Sequence, residues 1–63
     1  MRNIDKVLKS INPTVLEWII EARANGEVKA LEKWLNNARE EYTLNPSDSL
    51  DDEIWFLEYL LGK

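Results

Sequence analysis

The chain has 63 residues, 32% of them charged, and carries a net charge of -4 at neutral pH. It contains no cysteine and no histidine, which excludes disulfides and thiolate or imidazole metal sites and removes the commonest acid–base catalyst. We expect one domain, residues 1–63. A domain this small buries only about 60% of the surface of its unfolded chain, so oligomerisation or a very well packed core must add stability.

Charge is distributed unevenly along the chain. Residues 1–39 hold seven basic and five acidic side chains, a net +2, whereas residues 40–63 hold seven acidic side chains and only Lys63, a net -6. Nucleic-acid-binding proteins normally concentrate positive charge instead. The acidic end favours a basic partner surface. The sequence shows no secretory signal and no apolar run of the roughly 18 to 20 residues that span a bilayer, which predicts a cytoplasmic protein outside the membrane.

Two helices are predicted before Gly26. Asn3 caps the first, and Pro13 ends it because the residue before a proline avoids the α region. Asn12 and Pro13 are typical of the N-cap and first position of a second helix, and Asn25-Gly26 is typical of its end. The apolar residues of the first helix have the spacing of one buried face: Ile4, Val7, Leu8 and Ile11. Those of the second fall on one stripe that we expect to be buried: Val15, Trp18, Ile19 and Ala22, with Leu16 and Ile20 at its margin.

The third and fourth helices are separated by the loop TLNPSDS. The third is predicted from about Glu27 to Thr43 and is amphipathic. Its apolar side carries Val28, Leu31, Trp34, Leu35, Ala38 and Tyr42. Ser49 followed by Asp52 resembles a capping box, which predicts a last helix from about Leu50 to Leu61.

No segment alternates with a period of two, so the predicted fold is all-α. We expect a compact bundle of four helices, the first short, with dimerisation as one way to complete it. Nine residues are predicted at its centre: Ile4, Leu8, Val15, Ile19, Leu31, Leu35, Ile54, Leu57 and Leu61.

The last helix has more apolar surface than one contact needs. Asp51 and Glu58 share one narrow face, and apolar residues cover roughly 240° of the remaining circumference, whereas a helix packed on one side needs an arc of only about 100°. In one arrangement this helix is central, held by helices 2 and 3, with helix 1 covering the rest. In the other, part of the arc binds a partner, most simply a second copy in a symmetric homodimer. The candidate protein-binding residues are Trp34, Trp55, Phe56, Tyr59 and Leu60.

An acidic patch is predicted around the last loop: Glu40, Glu41, Asp48, Asp51, Asp52 and Glu53. Acids in a first helical turn favour the helix dipole, but Glu40 and Glu41 lie near a C-terminal end, where the dipole disfavours them. The loop does not match the calcium-binding EF-hand, because Leu50 and Phe56 stand where that pattern needs Gly and Glu.

These residues predict a protein-binding function and not a catalytic one. There is no glycine-rich phosphate loop and no pairing of nucleophile and base, so we expect no enzyme activity, metal or cofactor. The leading hypothesis is a small acidic protein-interaction module, acting as a regulator, adaptor or inhibitor. One alternative is a nucleic-acid-associated protein using Lys6, Lys9, Lys29, Lys33 and Arg39. Another is an acidic mimic of nucleic acid using Glu40, Glu41, Asp51 and Asp52.

Overall fold

The computed structural model describes residues 2–63, and the regular structure in that range consists of four α-helices. The predicted all-α fold is confirmed. The helices are α1, Ile4–Ser10; α2, Pro13–Ala24; α3, Val28–Leu44; and α4, Asp48–Leu61.

Local side-chain contacts define the first two helices as the sequence predicts. The side chain of Asn3 accepts hydrogen bonds from the backbone N–H groups of Asp5 and Lys6, which caps α1. Asn12 accepts a hydrogen bond from the N–H of Thr14 at 2.9 Å, which caps α2. Gly26 follows the end of α2 with a φ of 72°, a left-handed conformation that glycine adopts without a steric penalty.

The predicted cap of the last helix is wrong by two residues. Ser47 is the N-cap of α4, and its hydroxyl accepts a hydrogen bond from the N–H of Leu50 at 3.1 Å. Ser49 lies inside the helix, and its hydroxyl donates to the backbone carbonyl of Ser10 at 2.9 Å. Ser49 therefore joins α4 to the end of α1, a contact between residues that are distant in sequence.

The first and last helices lie side by side. The helix α4 packs against α1 and α3, while α2 packs mainly on α3. Of the arrangement in which helices 2 and 3 hold the last helix, the contact with helix 3 is present, but α1 and not α2 is the second main neighbour of α4. Arg2, just before α1, reinforces this contact by donating to Asp51 at 2.9 Å and to Asp52 at 2.8 Å.

The core lies where the four helices converge, and every buried residue in the described range is apolar. Of the nine residues predicted at its centre, four are buried: Ile19, Leu31, Leu35 and Leu57. Four more are half-buried and pack against the core: Leu8, Val15, Ile54 and Leu61. The remaining buried residues are Val7, Ile11, Ala22, Ala38 and Phe56.

Two residues predicted to be buried are exposed. Ile4 is 39% exposed, because α1 is short and covers the core with Val7 and Ile11 while its first turn lies at the rim. Trp18 is 54% exposed, because it lies at the edge of α2 against Trp34 and outside the core cluster.

Candidate functional site

The candidate binding residues of α4 divide into buried and exposed sets. Phe56 is only 5% exposed and belongs to the core, so it offers no surface to a partner. Leu60 is half-buried against the same core. Tyr59 is 58% exposed, and Trp55 is half-buried beside it. Of the predicted aromatic face, Trp55 and Tyr59 therefore remain as the surface elements.

A depression of about 340 Å³ is lined by Arg2, Ile4, Trp55 and Tyr59, which together we call the Tyr59 surface. The rings of Trp55 and Tyr59 stack with centroids 5.6 Å apart and planes 16° apart. Ile4 adds an exposed aliphatic side chain from α1. Such a combination of large aromatic groups and a partly exposed aliphatic neighbour is typical of the centre of a protein interface.

Charge at the edge of the Tyr59 surface is partly neutralised within the chain. Each terminal nitrogen of the Arg2 guanidinium contacts one carboxylate, Nη2 that of Asp51 and Nη1 that of Asp52. One cation thus faces two carboxylates at the edge of the aromatic pair. Two members of the predicted acidic patch are therefore already engaged in ion pairs.

Trp34 lies in a different place from the other candidate binding residues. Its indole packs against that of Trp18, with ring centroids 5.8 Å apart and planes tilted by 52°. It also lines a groove of about 260 Å³, which we call the Trp34 groove. The lining residues come from α3 and α4: Ala30, Lys33, Trp34, Asn37, Ala38, Glu41 and Glu53.

Two acidic residues of the patch, Glu41 and Glu53, line the Trp34 groove. Burial raises the pKa of Glu53 above its ordinary value, and the negative charge of Glu41 raises it further. Within residues 2–63 the ion pairs join Arg2 to Asp51 and Asp52, and Arg39 to Glu58. Neither Glu41 nor Glu53 has a basic partner among the described residues.

The Tyr59 surface and the Trp34 groove use opposite sides of α4. Glu53 and Trp55 are two residues apart, which corresponds to about 200° around a helix. The remaining members of the acidic patch, Glu40 and Asp48, are exposed, and neither joins an ion pair in the described range. The predicted binding residues therefore do not form one site.

The cations named for nucleic-acid binding are not all free. Arg39 donates to Glu58 at 2.6 Å, while Lys6, Lys9, Lys29 and Lys33 are exposed. In the described part of the chain no three acidic side chains converge as metal ligands would. The absence of a metal, cofactor or catalytic residue stays a prediction.

Three surface residues were missed or misplaced by the sequence analysis. Arg2 and Ile4 complete the Tyr59 surface; the apolar face of helix 1 suggests that it can cover the last helix, but the same pattern places Ile4 in the core and gives Arg2 no role. The sequence gives a weak indication that Trp18 is exposed. Apolar residues occur around most of the circumference of α2, so they cannot all face the core.

Comparison with known protein families, curated proteins and solved structures finds no match to this chain. Within residues 2–63, no helix combines the length and the apolar composition needed to cross a membrane.

Proposed function

We propose that this protein is a small protein-interaction module that acts as a regulator, adaptor or inhibitor and uses the Tyr59 surface to bind a second copy of itself. The observation that carries the proposal is the stacked pair of Trp55 and Tyr59, in which Tyr59 is largely exposed although it is a large aromatic residue. Aromatic side chains of this kind dominate binding energy when a partner removes them from water.

Charge favours a second copy as the occupant of this surface. The protein has a net charge of -4, which would repel another copy at most orientations. At the Tyr59 surface, however, Arg2 neutralises one of the two negative charges of Asp51 and Asp52. In a symmetric pair each Arg2 would also meet carboxylates of the other copy, which supports self-association there.

The size of the molecule fits such a dimer. Specific interfaces bury roughly 600 to 1,000 Å² on each partner. The molecule measures 29 × 25 × 23 Å and exposes 4610 Å², so one side formed by α1 and α4 would supply that area. Burial of that side would also add stability to a domain whose core is small.

Sedimentation equilibrium of three proteins tests the dimer. The wild type is expected to shift from monomer to dimer between low and high micromolar concentration. Tyr59→Lys should remain folded, because Tyr59 is exposed in the monomer. It should also remain monomeric, because dimerisation would bury the lysine of each copy against the same residue of the other. Leu44→Lys makes the same change in charge at a side chain that is 82% exposed outside this surface, and it should dimerise like the wild type.

Two results would contradict this dimer. A wild type that stays monomeric at high micromolar concentration would rule it out. Equal dimerisation of Tyr59→Lys and the wild type would place the contact elsewhere on the molecule.

The nucleic-acid alternatives make different predictions. If the lysines bind nucleic-acid phosphates, the affinity should fall steeply as the salt concentration rises. We expect no binding to DNA or RNA even at low salt, since Arg39 is paired with Glu58 and the chain is acidic. A mimic of nucleic acid would instead lose a basic protein partner on charge reversal of Glu40, Glu41, Asp51 and Asp52.

A further inference from the structure

The Trp34 groove has an apolar wall with negative charge at one end. Ala30, Trp34 and Ala38 repeat along α3 at intervals of four residues and so lie on one side of it. Glu41 lies at the C-terminal end of the groove and Glu53 approaches it from α4, whereas Lys33 lies nearer the N-terminal end. A ligand in this groove would therefore meet carbon atoms along its length and two carboxylates at one end.

The two carboxylates are costly to the isolated chain. Burial and the charge of the exposed Glu41 raise the pKa of the half-buried Glu53, and neither residue joins an ion pair among residues 2–63, although other acids of α4 do. Like charges in a partly buried site repel each other more strongly than in water. A cation placed between Glu41 and Glu53 would remove that repulsion. It would not have to displace an ion pair, since neither residue forms one among residues 2–63.

The indole of Trp34 favours a guanidinium over an ammonium group. A guanidinium stacks on an aromatic face and also donates to two carboxylates at once, whereas an ammonium does so less well. Four of the lining residues are exposed, so a side chain from outside can reach the groove: Ala30, Lys33, Asn37 and Glu41.

We propose that the Trp34 groove binds an arginine-bearing segment of a partner protein, with the guanidinium between Glu41 and Glu53 and against the indole of Trp34. This inference rests on the proposed role as a protein-interaction module, but it is independent of the dimer, because the groove and the Tyr59 surface lie on opposite sides of α4. The basic segment, and not a second copy, is the occupant because Glu41 and Glu53 form no ion pair among residues 2–63, whereas Asp51 and Asp52 beside the Tyr59 surface share Arg2.

A blocked five-residue peptide with a central arginine between leucines and alanines is a suitable probe. Ala30 and Glu41 are separated by eleven helical steps, or about 16 Å, which is close to the length of five extended residues. The same peptide with citrulline in place of arginine keeps the shape and removes the charge. Titrations into ¹⁵N-labelled protein are followed through the indole N–H signals of the three tryptophans.

The arginine peptide should shift the indole signal of Trp34 and leave that of Trp55 in place, and the citrulline peptide should bind about tenfold more weakly or not at all. The double variant Glu41→Gln/Glu53→Gln should lose about tenfold in affinity. Glu17→Gln/Glu21→Gln makes the same change in charge on the exposed part of α2 and should bind like the wild type. Circular dichroism checks that both variants are folded.

The inference would be overturned if the arginine peptide did not bind, or if the citrulline peptide bound equally well. It would also be overturned if both double variants weakened binding equally, because that result would indicate diffuse attraction to an acidic surface. The titration is repeated on Tyr59→Lys, in which binding should be unchanged. A wild type that binds the peptide but stays monomeric would thus reject only the proposed role of the Tyr59 surface. The opposite pattern would reject the groove alone.

Discussion

Trp55 and Tyr59 lie one turn apart on α4, and their rings stack with centroids 5.6 Å apart although only Trp55 packs against the core. The pair therefore links the interior to the surface. Trp55 fixes the ring of Tyr59 in place before any partner binds, which lowers the entropy that an interface residue loses on binding.

This difference in burial predicts unequal effects of two alanine substitutions on stability. Trp55→Ala should lower the free energy of unfolding by on the order of 2 kcal/mol, because a half-buried indole leaves the edge of the core. Tyr59→Ala should cost less than about 1 kcal/mol, mostly through loss of the stacking contact. Urea denaturation at a concentration where the chain is monomeric measures both. Equal losses would show that Tyr59 belongs to the core.

The burial of Phe56 predicts that it stabilises the monomer and does not contact a partner directly. Phe56→Ala should destabilise the protein by about 3 to 5 kcal/mol, a large part of the stability expected for a domain of this size. Leu44→Ala, at a highly exposed side chain, should stay within about 0.5 kcal/mol of the wild type. Thermal unfolding followed by circular dichroism compares them. Dissociation of a dimer by Phe56→Ala without loss of monomer stability would restore Phe56 as an interface residue.

The raised pKa of Glu53 predicts a pH-dependent gain in stability when its charge is removed. Because the folded state holds this proton more tightly than the unfolded state, stability falls as pH rises from the ordinary value of 4.5 through the raised pKa. Glu53→Gln should therefore raise the melting temperature at neutral pH, and the gain should shrink below that window. The other charged residues that line the groove are Glu41, which contributes to the raised pKa, and Lys33.

Glu32→Gln is the matched control for this pH effect. Glu32 is exposed and lies outside the groove on the same helix as Glu41. Its substitution should change the melting temperature little, and without the pH profile of Glu53→Gln. A gain for Glu53→Gln that is constant from acidic to neutral pH would indicate a packing effect and not a charge effect.

The cap of α4 can be tested at two neighbouring serines. Ser47→Ala should lower the free energy of unfolding by about 0.5 to 2 kcal/mol, because the N–H of Leu50 loses its acceptor. Ser49→Ala should cost less, since its hydrogen bond to the Ser10 carbonyl is exposed and water can replace the lost hydroxyl. Chemical denaturation of both variants gives the order. The reverse order would make Ser49 the more important of the two.

Some features of this protein were determined by short stretches of sequence. Asn3, Asn12 with Pro13, and Gly26 mark helix ends because each acts on backbone groups within a few residues of itself. The period of the apolar residues likewise fixed the all-α fold and most of the core. These predictions succeeded because the interactions behind them are complete within one helix. The choice between Ser47 and Ser49 was the exception, because both carry a hydroxyl that can cap a helix. A tertiary contact decides it: the Ser49 hydroxyl bonds to the Ser10 carbonyl of α1, and the Ser47 hydroxyl caps α4.

Tertiary packing decided which apolar and charged residues remain at the surface. The sequence left it open whether the last helix was fully covered, and placed Ile4 inside and Phe56 at an interface. In the folded chain Ile4 and Tyr59 are exposed and Phe56 is buried, and the packing of α3 on α4 brings Glu53 within range of the charge of Glu41. A helical period shows that a face is apolar, but it does not show which neighbour covers that face. That depends on contacts between residues as far apart as Arg2 and Asp52, which no local pattern contains.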